Sequence, residues 1–126
     1  MNYGVKYISK TFESKQQYSI FDVAKWHAET FPDVTIDDQK KKFNEESKEW
    51  DASLDMLELA DMYIVACGMS RFCTLDSCIA FHKISDICQL YHIPSKELLR
   101  AIDAKMITNK QRSWKRLQSG AYKHIA

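Results

Sequence analysis

A chain of 126 residues, 45% hydrophobic and 28% charged, has the size and composition of one folded domain with a modest core. Its formal net charge of +1 supplies no global attraction to nucleic acid or to a membrane surface. There is no apolar run of ~18 residues and no charged-then-apolar leader, so a cytoplasmic protein with no membrane partner is expected.

Three glycines and two prolines are too few turn formers for a many-stranded fold. The expected fold class is all-α, an antiparallel bundle of about four to five helices, with residues 1–126 forming a single domain. Cys67, Cys73, Cys78 and Cys88 show no CxxC spacing and no histidine at zinc-finger intervals, so they read as small buried hydrophobes in a reducing compartment.

Residues 1–17 have no sustained period and form an irregular N-terminal arm, in which Tyr3, Val5, Tyr7 and Ile8 suit a short extended stretch. Ser19 offers an N-cap for a first helix through about Thr30, with Ile20, Val23, Ala24 and His27 on related turns; Phe31-Pro32 ends it. Trp26 near that end reads either as a packing anchor or as a flat surface for a nucleobase.

Thr35 or Asp37 can cap a second helix reaching about Asp51. Ile36, Phe43 and Trp50 form its apolar stripe, and Glu45, Glu46 and Glu49 fall on roughly the opposite side, where the ordinary meaning of acids is a solvated face. The third helix, from about Leu54 to Ala66 with Gly68 as terminator, is different. There Glu58 and Asp61 share a stripe with Leu54, Leu57 and Val65, so carboxylates interrupt a face that should be buried. Buried charges are costly unless paired or metal-bound, and no cation is obvious on that face. A metal is the economical explanation. The short turn at Ala52-Ser53 makes helices two and three an antiparallel pair, and two facing carboxylate clusters suit Mg2+, a hard oxygen-seeking cation. A second subunit would cover the acidic side of helix two.

A fourth helix is expected from Cys73 or Thr74 to about Tyr91, with His82 and His92 as satisfied core or boundary groups rather than ligands. Ser95 then caps a last helix that continues to Ser119-Gly120, with Glu97 in its first turn complementing the dipole. On it Lys105, Asn109 and Arg112 share one face suited to a polyphosphate, or form a solvated basic face extended by Lys110, Lys115 and Arg116. Trp114 points to the other side, into the core.

Glu45-Glu46-x-x-Glu49, then Glu58-x-x-Asp61, then Lys105 with Asn109, Arg112 and Trp114, resembles the all-α nucleoside triphosphate pyrophosphohydrolases of the MazG-like superfamily. Trp26-His27, Thr30-Phe31-Pro32 and the ending Gly120 to His124 are similar to its dATP/dGTP pyrophosphohydrolase-like subgroup. The likeness covers about residues 19 to 124, and only Trp50 to Leu57 separates the two acidic motifs, a shorter interval than is common in the superfamily.

The resemblance implies cleavage between the α- and β-phosphates of a nucleoside triphosphate substrate, most of all a purine deoxynucleotide, to the monophosphate and pyrophosphate. By the same resemblance Glu46, Glu49, Glu58 and Asp61 bind Mg2+, with Mn2+ as a substitute. Glu45 acts on the attacking water, Lys105, Asn109 and Arg112 hold the phosphates, and Trp26 touches the base. A homodimer or homotetramer is implied as well. Two rivals fit less well. A di-iron or di-manganese bundle would carry Glu-x-x-His pairs, which are absent. A non-enzymatic helical module binding nucleic acid through Lys105 to Lys123 leaves Glu58 and Asp61 unexplained.

Overall fold

A computed structural model of the chain describes residues 3–116 and 122–125. Five α-helices, α1 (Ile20–Thr30), α2 (Ile36–Ser53), α3 (Met56–Met69), α4 (Asp76–Leu90) and α5 (Ser95–Gln111), precede a two-stranded antiparallel ribbon, β1 (Ser113–Arg116) and β2 (Tyr122–Ile125). The helical bundle expected from composition is what forms, and the ribbon is an addition to it.

The first two helices start where short polar side chains satisfy the free backbone N–H groups. Ser19 and Asp22 form a reciprocal capping box on α1, as Thr35 and Asp38 do on α2. Leu54 ends α2 in a left-handed conformation (φ 53), and Asp55 caps α3 by accepting a hydrogen bond from the Leu57 N–H at 2.8 Å. Only Leu54 and Asp55 therefore separate α2 from α3, and the helix predicted to begin at Leu54 begins at Met56.

Helix α3 is the central element, in contact with α1, α2, α4 and α5. Met56, Leu59, Ala60, Met62 and the run Ile64–Met69 are buried on it, so it is apolar nearly all round. Gly68 does not terminate it but lies inside it, and a 3₁₀ turn, Ser70–Phe72, follows. The deepest side chains around it include Trp50, Val23, Ile102 and Met106. Pro94, without a side-chain cap, precedes α5, and Ser95 is its first residue rather than its cap.

The N-terminal arm carries no helix or strand over its described residues, but it is tied down. The Lys6 N–H donates to Leu54 O at 2.8 Å and the Met56 N–H to Lys6 O at 2.9 Å, pinning the arm to the α2–α3 connection. Further along, the buried Asp103 carboxylate accepts the Tyr18 N–H at 3.0 Å and the Ser14 hydroxyl. Of the cysteines only Cys67 is buried; Cys73 and Cys78 are exposed and Cys88 is half-buried, which corrects the reading of all four as core residues. No helix among the described residues is long and apolar enough to cross a membrane.

Candidate metal centre and its aromatic cleft

On α2 the buried residues are Gln39, Phe43, Glu46, Ser47 and Trp50, a helical stripe at spacings of three and four. Glu46 is on this stripe, 5% exposed, and not on the solvated side where the acids were expected together; Glu45 and Glu49 do remain exposed. One turn of α3 brings Glu58 and Asp61, both half-buried, to the same place. One carboxylate oxygen from each of Glu46, Glu58 and Asp61 lies within 4.8 Å of the others. Glu49 joins them through a hydrogen bond with Glu58.

Crowding of acids in a partly dry site shifts their protonation. Burial, reinforced by the Asp61 charge, pushes the Glu46 carboxyl up to about 8 against the opposing effect of Lys42. Burial, the hydrogen bond with Glu49 and then the Asp61 charge push Glu58 up to about 7. Burial raises Asp61 above the usual carboxylate range, while the hydrogen bond with Glu58 holds Glu49 below it. Glu46 Oε2 and Glu58 Oε2 are buried with no hydrogen-bond partner among the described residues. An unmet buried acceptor costs about 1–3 kcal/mol. Two such acceptors beside a third carboxylate form a donor set that fits a hard divalent cation.

The face of α3 that lacked a cation in the sequence receives one from α5. Lys105 Nζ lies 3.1 Å from Asp61 Oδ2, with side chains only 16% and 18% exposed. A second lysine, Lys42, sits one turn before Glu46 with Nζ 3.0 Å from Glu46 Oε1. Both acidic motifs thus meet inside one chain, and Glu46 is covered without a second subunit.

Helix α5 stops at Gln111, and Arg112 is extended (φ −83, ψ 149). Lys105, Asn109 and Arg112 therefore do not share one helical face as expected. The terminal carbonyl of Asn109 is satisfied instead by the Arg112 N–H at 3.3 Å and the Trp114 Nε1–H at 3.4 Å. The turn into β1 swings Trp114 to the cleft side and out of the core position assigned to it. The expected helix closure at Ser119-Gly120 lies outside the described residues.

In the ribbon Trp114 is paired with His124 across the strands, and Tyr122 lies two residues from His124, so all three face the same way. They meet an aromatic corner of α1. Phe31 packs against Trp114 at 5.0 Å, Tyr122 at 4.8 Å and Trp26 at 5.4 Å between ring centroids. The result is a cleft of ≈640 Å³ with carboxylates on one wall and aromatic rings on another. All the residues singled out in the sequence as site candidates line it: Trp26, Glu45, Glu46, Glu49, Glu58, Asp61, Lys105, Asn109 and Arg112. The sequence alone did not show Lys42 as a partner of the acids and put neither Phe31 nor Tyr122 in the site. The signal for Lys42 was its place four residues before Glu46 on one helix.

His27 lies at the floor, 3% exposed, with Nε2 2.9 Å from Gln39 Oε1. Burial, then the nearby Arg71 charge, lowers its pKa from 6.5 to about 4. Because the folded imidazole stays neutral where the unfolded one takes a proton, stability falls as pH drops from 6.5 toward 4, by about 3 kcal/mol in all. Urea denaturation of the parent chain and of His27→Asn across that interval should show a steeper acid loss in the parent. Parallel profiles would remove His27 as the cause. His82 and His92 are exposed rather than core, the first with Nε2 3.7 Å from Asp86 Oδ2 and the second stacked on Tyr3 at 4.9 Å.

No family model matches the chain, and no solved structure matches it. The chain is 32% identical over 126 aligned positions to a dATP/dGTP diphosphohydrolase of Salmonella phage PMBT28. That similarity takes in 93% of this chain but spans only 36% of the phage protein's length.

Proposed function

We propose that this chain is a MazG-like nucleoside triphosphate pyrophosphohydrolase that uses Mg2+, or Mn2+ in its place, to convert a purine deoxynucleoside triphosphate to the monophosphate and pyrophosphate. The observation that carries the proposal is the convergence of Glu46, Glu58 and Asp61 within 4.8 Å, two of them with unmet buried oxygens, in a cleft that also holds cationic and aromatic groups. The similarity to the phage dATP/dGTP diphosphohydrolase supports the substrate class.

In this reading Glu46, Glu49, Glu58 and Asp61 hold the ion. When bound, Mg2+ polarises phosphate oxygens and makes a coordinated water more acidic. The chain's own groups do the rest. Glu45, exposed at the cleft edge, accepts the proton of the attacking water. Lys105, Asn109 and Arg112 bind the phosphates and offset the charge that grows on the leaving pyrophosphate. Trp26, with Phe31 and Trp114 beside it, offers ring surface to the base. No protein nucleophile is required. A single domain acting in the cytoplasm as a homodimer or homotetramer belongs to the same proposal, with exposed Leu75, Ile79 and Leu90 along α4 as apolar surface available to a second copy.

Purified protein incubated with each common and each oxidised or deaminated nucleoside triphosphate, with and without Mg2+, tests the reading. Pyrophosphate and monophosphate are expected from at least one purine deoxynucleotide, only with the ion present. No turnover of any nucleotide, together with tight binding of single-stranded or duplex DNA, would replace it with the nucleic-acid module.

A further inference from the structure

The carboxylates that suit a divalent ion are already engaged by two ammonium groups, and the two differ in how firmly they are held. Lys105 reaches Asp61 from another helix and both side chains are largely enclosed, 16% and 18% exposed. Lys42 reaches Glu46 along its own helix; its side chain is 47% exposed while that of Glu46 is 6% exposed. The pair also runs in the weaker direction for a helix, with the lysine N-terminal to the glutamate, so helix stabilisation alone gives little reason for it. The Glu46 carboxylate is thus divided, with Oε1 taken by Lys42 at 3.0 Å and Oε2 buried without a partner.

A divalent ion held by Glu46, Glu58 and Asp61 would lie close to the Lys42 ammonium, and two cations at that range repel. Lys105 is the more firmly held of the two, its side chain only 16% exposed against Asp61. Lys42 has an open route away from Glu46, because it carries a flexible four-carbon stem, is half exposed and lines the same cleft as Asn109 and Arg112.

We infer that Lys42 is an exchangeable counter-ion, which holds Glu46 in the metal-free chain, leaves it when a divalent cation binds, and then contacts a phosphate oxygen of the nucleotide. This rests on the reading of the cleft as a metal-dependent nucleotide site and adds a residue and a binding order to it. Lys42 is here a positioning residue for the ion and a binding residue for the phosphates. Without nucleotide its charge opposes ion binding. With nucleotide the charge has an anionic partner and the opposition is removed, so ion and nucleotide must favour each other's binding by the same factor.

Titration of Mn2+ followed by electron paramagnetic resonance, at mildly alkaline pH, separates the possibilities. The parent chain, Lys42→Gln and Lys42→Arg would each be titrated alone and with an α,β-methylene deoxyadenosine triphosphate that is not cleaved. Without nucleotide, Lys42→Gln is expected to bind Mn2+ about fivefold more tightly than the parent, and Lys42→Arg to resemble the parent. Adding the nucleotide should improve ion affinity in the parent by about fivefold more than in Lys42→Gln. Ion affinity in Lys42→Gln equal to or weaker than in the parent would overturn the exchange. Weaker nucleotide binding with unchanged ion affinity would also overturn it, leaving Lys42 a plain phosphate contact. A parent chain that binds no Mn2+ under either condition would instead overturn the metal-site reading on which the exchange rests.

Discussion

Glu58→Gln is expected to lower Mg2+-dependent pyrophosphate release by about 10³-fold while leaving the metal-free chain at least as stable as the parent. The two effects have one cause. Glu58 is a carboxyl kept near a neutral-pH transition by burial, by its hydrogen bond with Glu49 and by the Asp61 charge. In the metal-free chain its ionisation opposes folding: a carboxyl raised from 4.5 to about 7 contributes stability that is present below 4.5 and lost as pH rises through 7. An uncharged amide of the same shape removes that penalty and keeps a polar group for Glu49. The same amide is a poor ligand for a hard divalent ion, so turnover should fall where stability does not. Thermal melting without metal, beside a coupled pyrophosphate assay, reads both. Full turnover in Glu58→Gln would take Glu58 out of the site, and an unfolded variant would make its role structural.

Asp61→Ala is a less clean companion than Glu49→Ala. Removing Asp61 strands the Lys105 ammonium, only 16% exposed, so part of any lost activity would be lost folding. Glu49 is exposed and its removal frees Glu58 from a hydrogen bond, so it should cost activity with little change in melting.

Much of the fold follows from local signals that the sequence displays. Ser19 with Asp22 and Thr35 with Asp38 mark two helix starts because a short side chain and an acid three residues on satisfy each other's backbone locally. Glu58 and Asp61 stood out because they interrupt an apolar stripe. Glu46 was also legible. At ~100° per residue it lies only about 60° from Phe43 and about 40° from Trp50, on the buried side of α2 and apart from Glu45. Grouping it with its neighbours in sequence hid this.

What could not be read locally depends on partners distant in sequence. Lys105 neutralises Asp61 only because α5 crosses α3, and no spacing along the chain reports that. The helical pattern of Lys105, Asn109 and Arg112 extends past the true end of α5 because nothing in those residue types forbids helix. The chain turns extended at Arg112, and Trp114 and Tyr122 pack on Phe31, more than eighty positions earlier. The aromatic wall is therefore a tertiary product, although Phe31 and Trp114 were both among the residues that carried the family resemblance.

Gly68 is the position where a plausible local reading fails for a reason with a large measurable effect. A glycine near the end of an apolar helical run reads as a terminator, yet here the helix continues through Met69. A Cβ added to Gly68 would sit 2.5 Å from Cδ2 and Nε2 of His27 and 2.6 Å from Cε1. The ring has little freedom to retreat, being 3% exposed, bonded to Gln39 at 2.9 Å and packed edge-on against Phe31 at 5.0 Å. By helix propensity alone Gly68→Ala would gain about 1 kcal/mol. The overlap should reverse the sign and leave a net loss of about 3 kcal/mol, or a fall of roughly 10 °C in Tm. Because the displaced ring carries Gln39 and Phe31 with it, the aromatic wall should shift as well, and tryptophan emission from Trp26 and Trp114 provides a second readout. A double-mutant cycle with His27→Ala tests the cause: once the ring is gone, Gly68→Ala should be tolerated or stabilising, giving a coupling of about 3–4 kcal/mol. If Gly68→Ala destabilises equally in both backgrounds, the glycine is needed for something other than the close approach of α1 to α3. If it stabilises the parent chain, the ring is free to move and the floor of the cleft is softer than its packing implies.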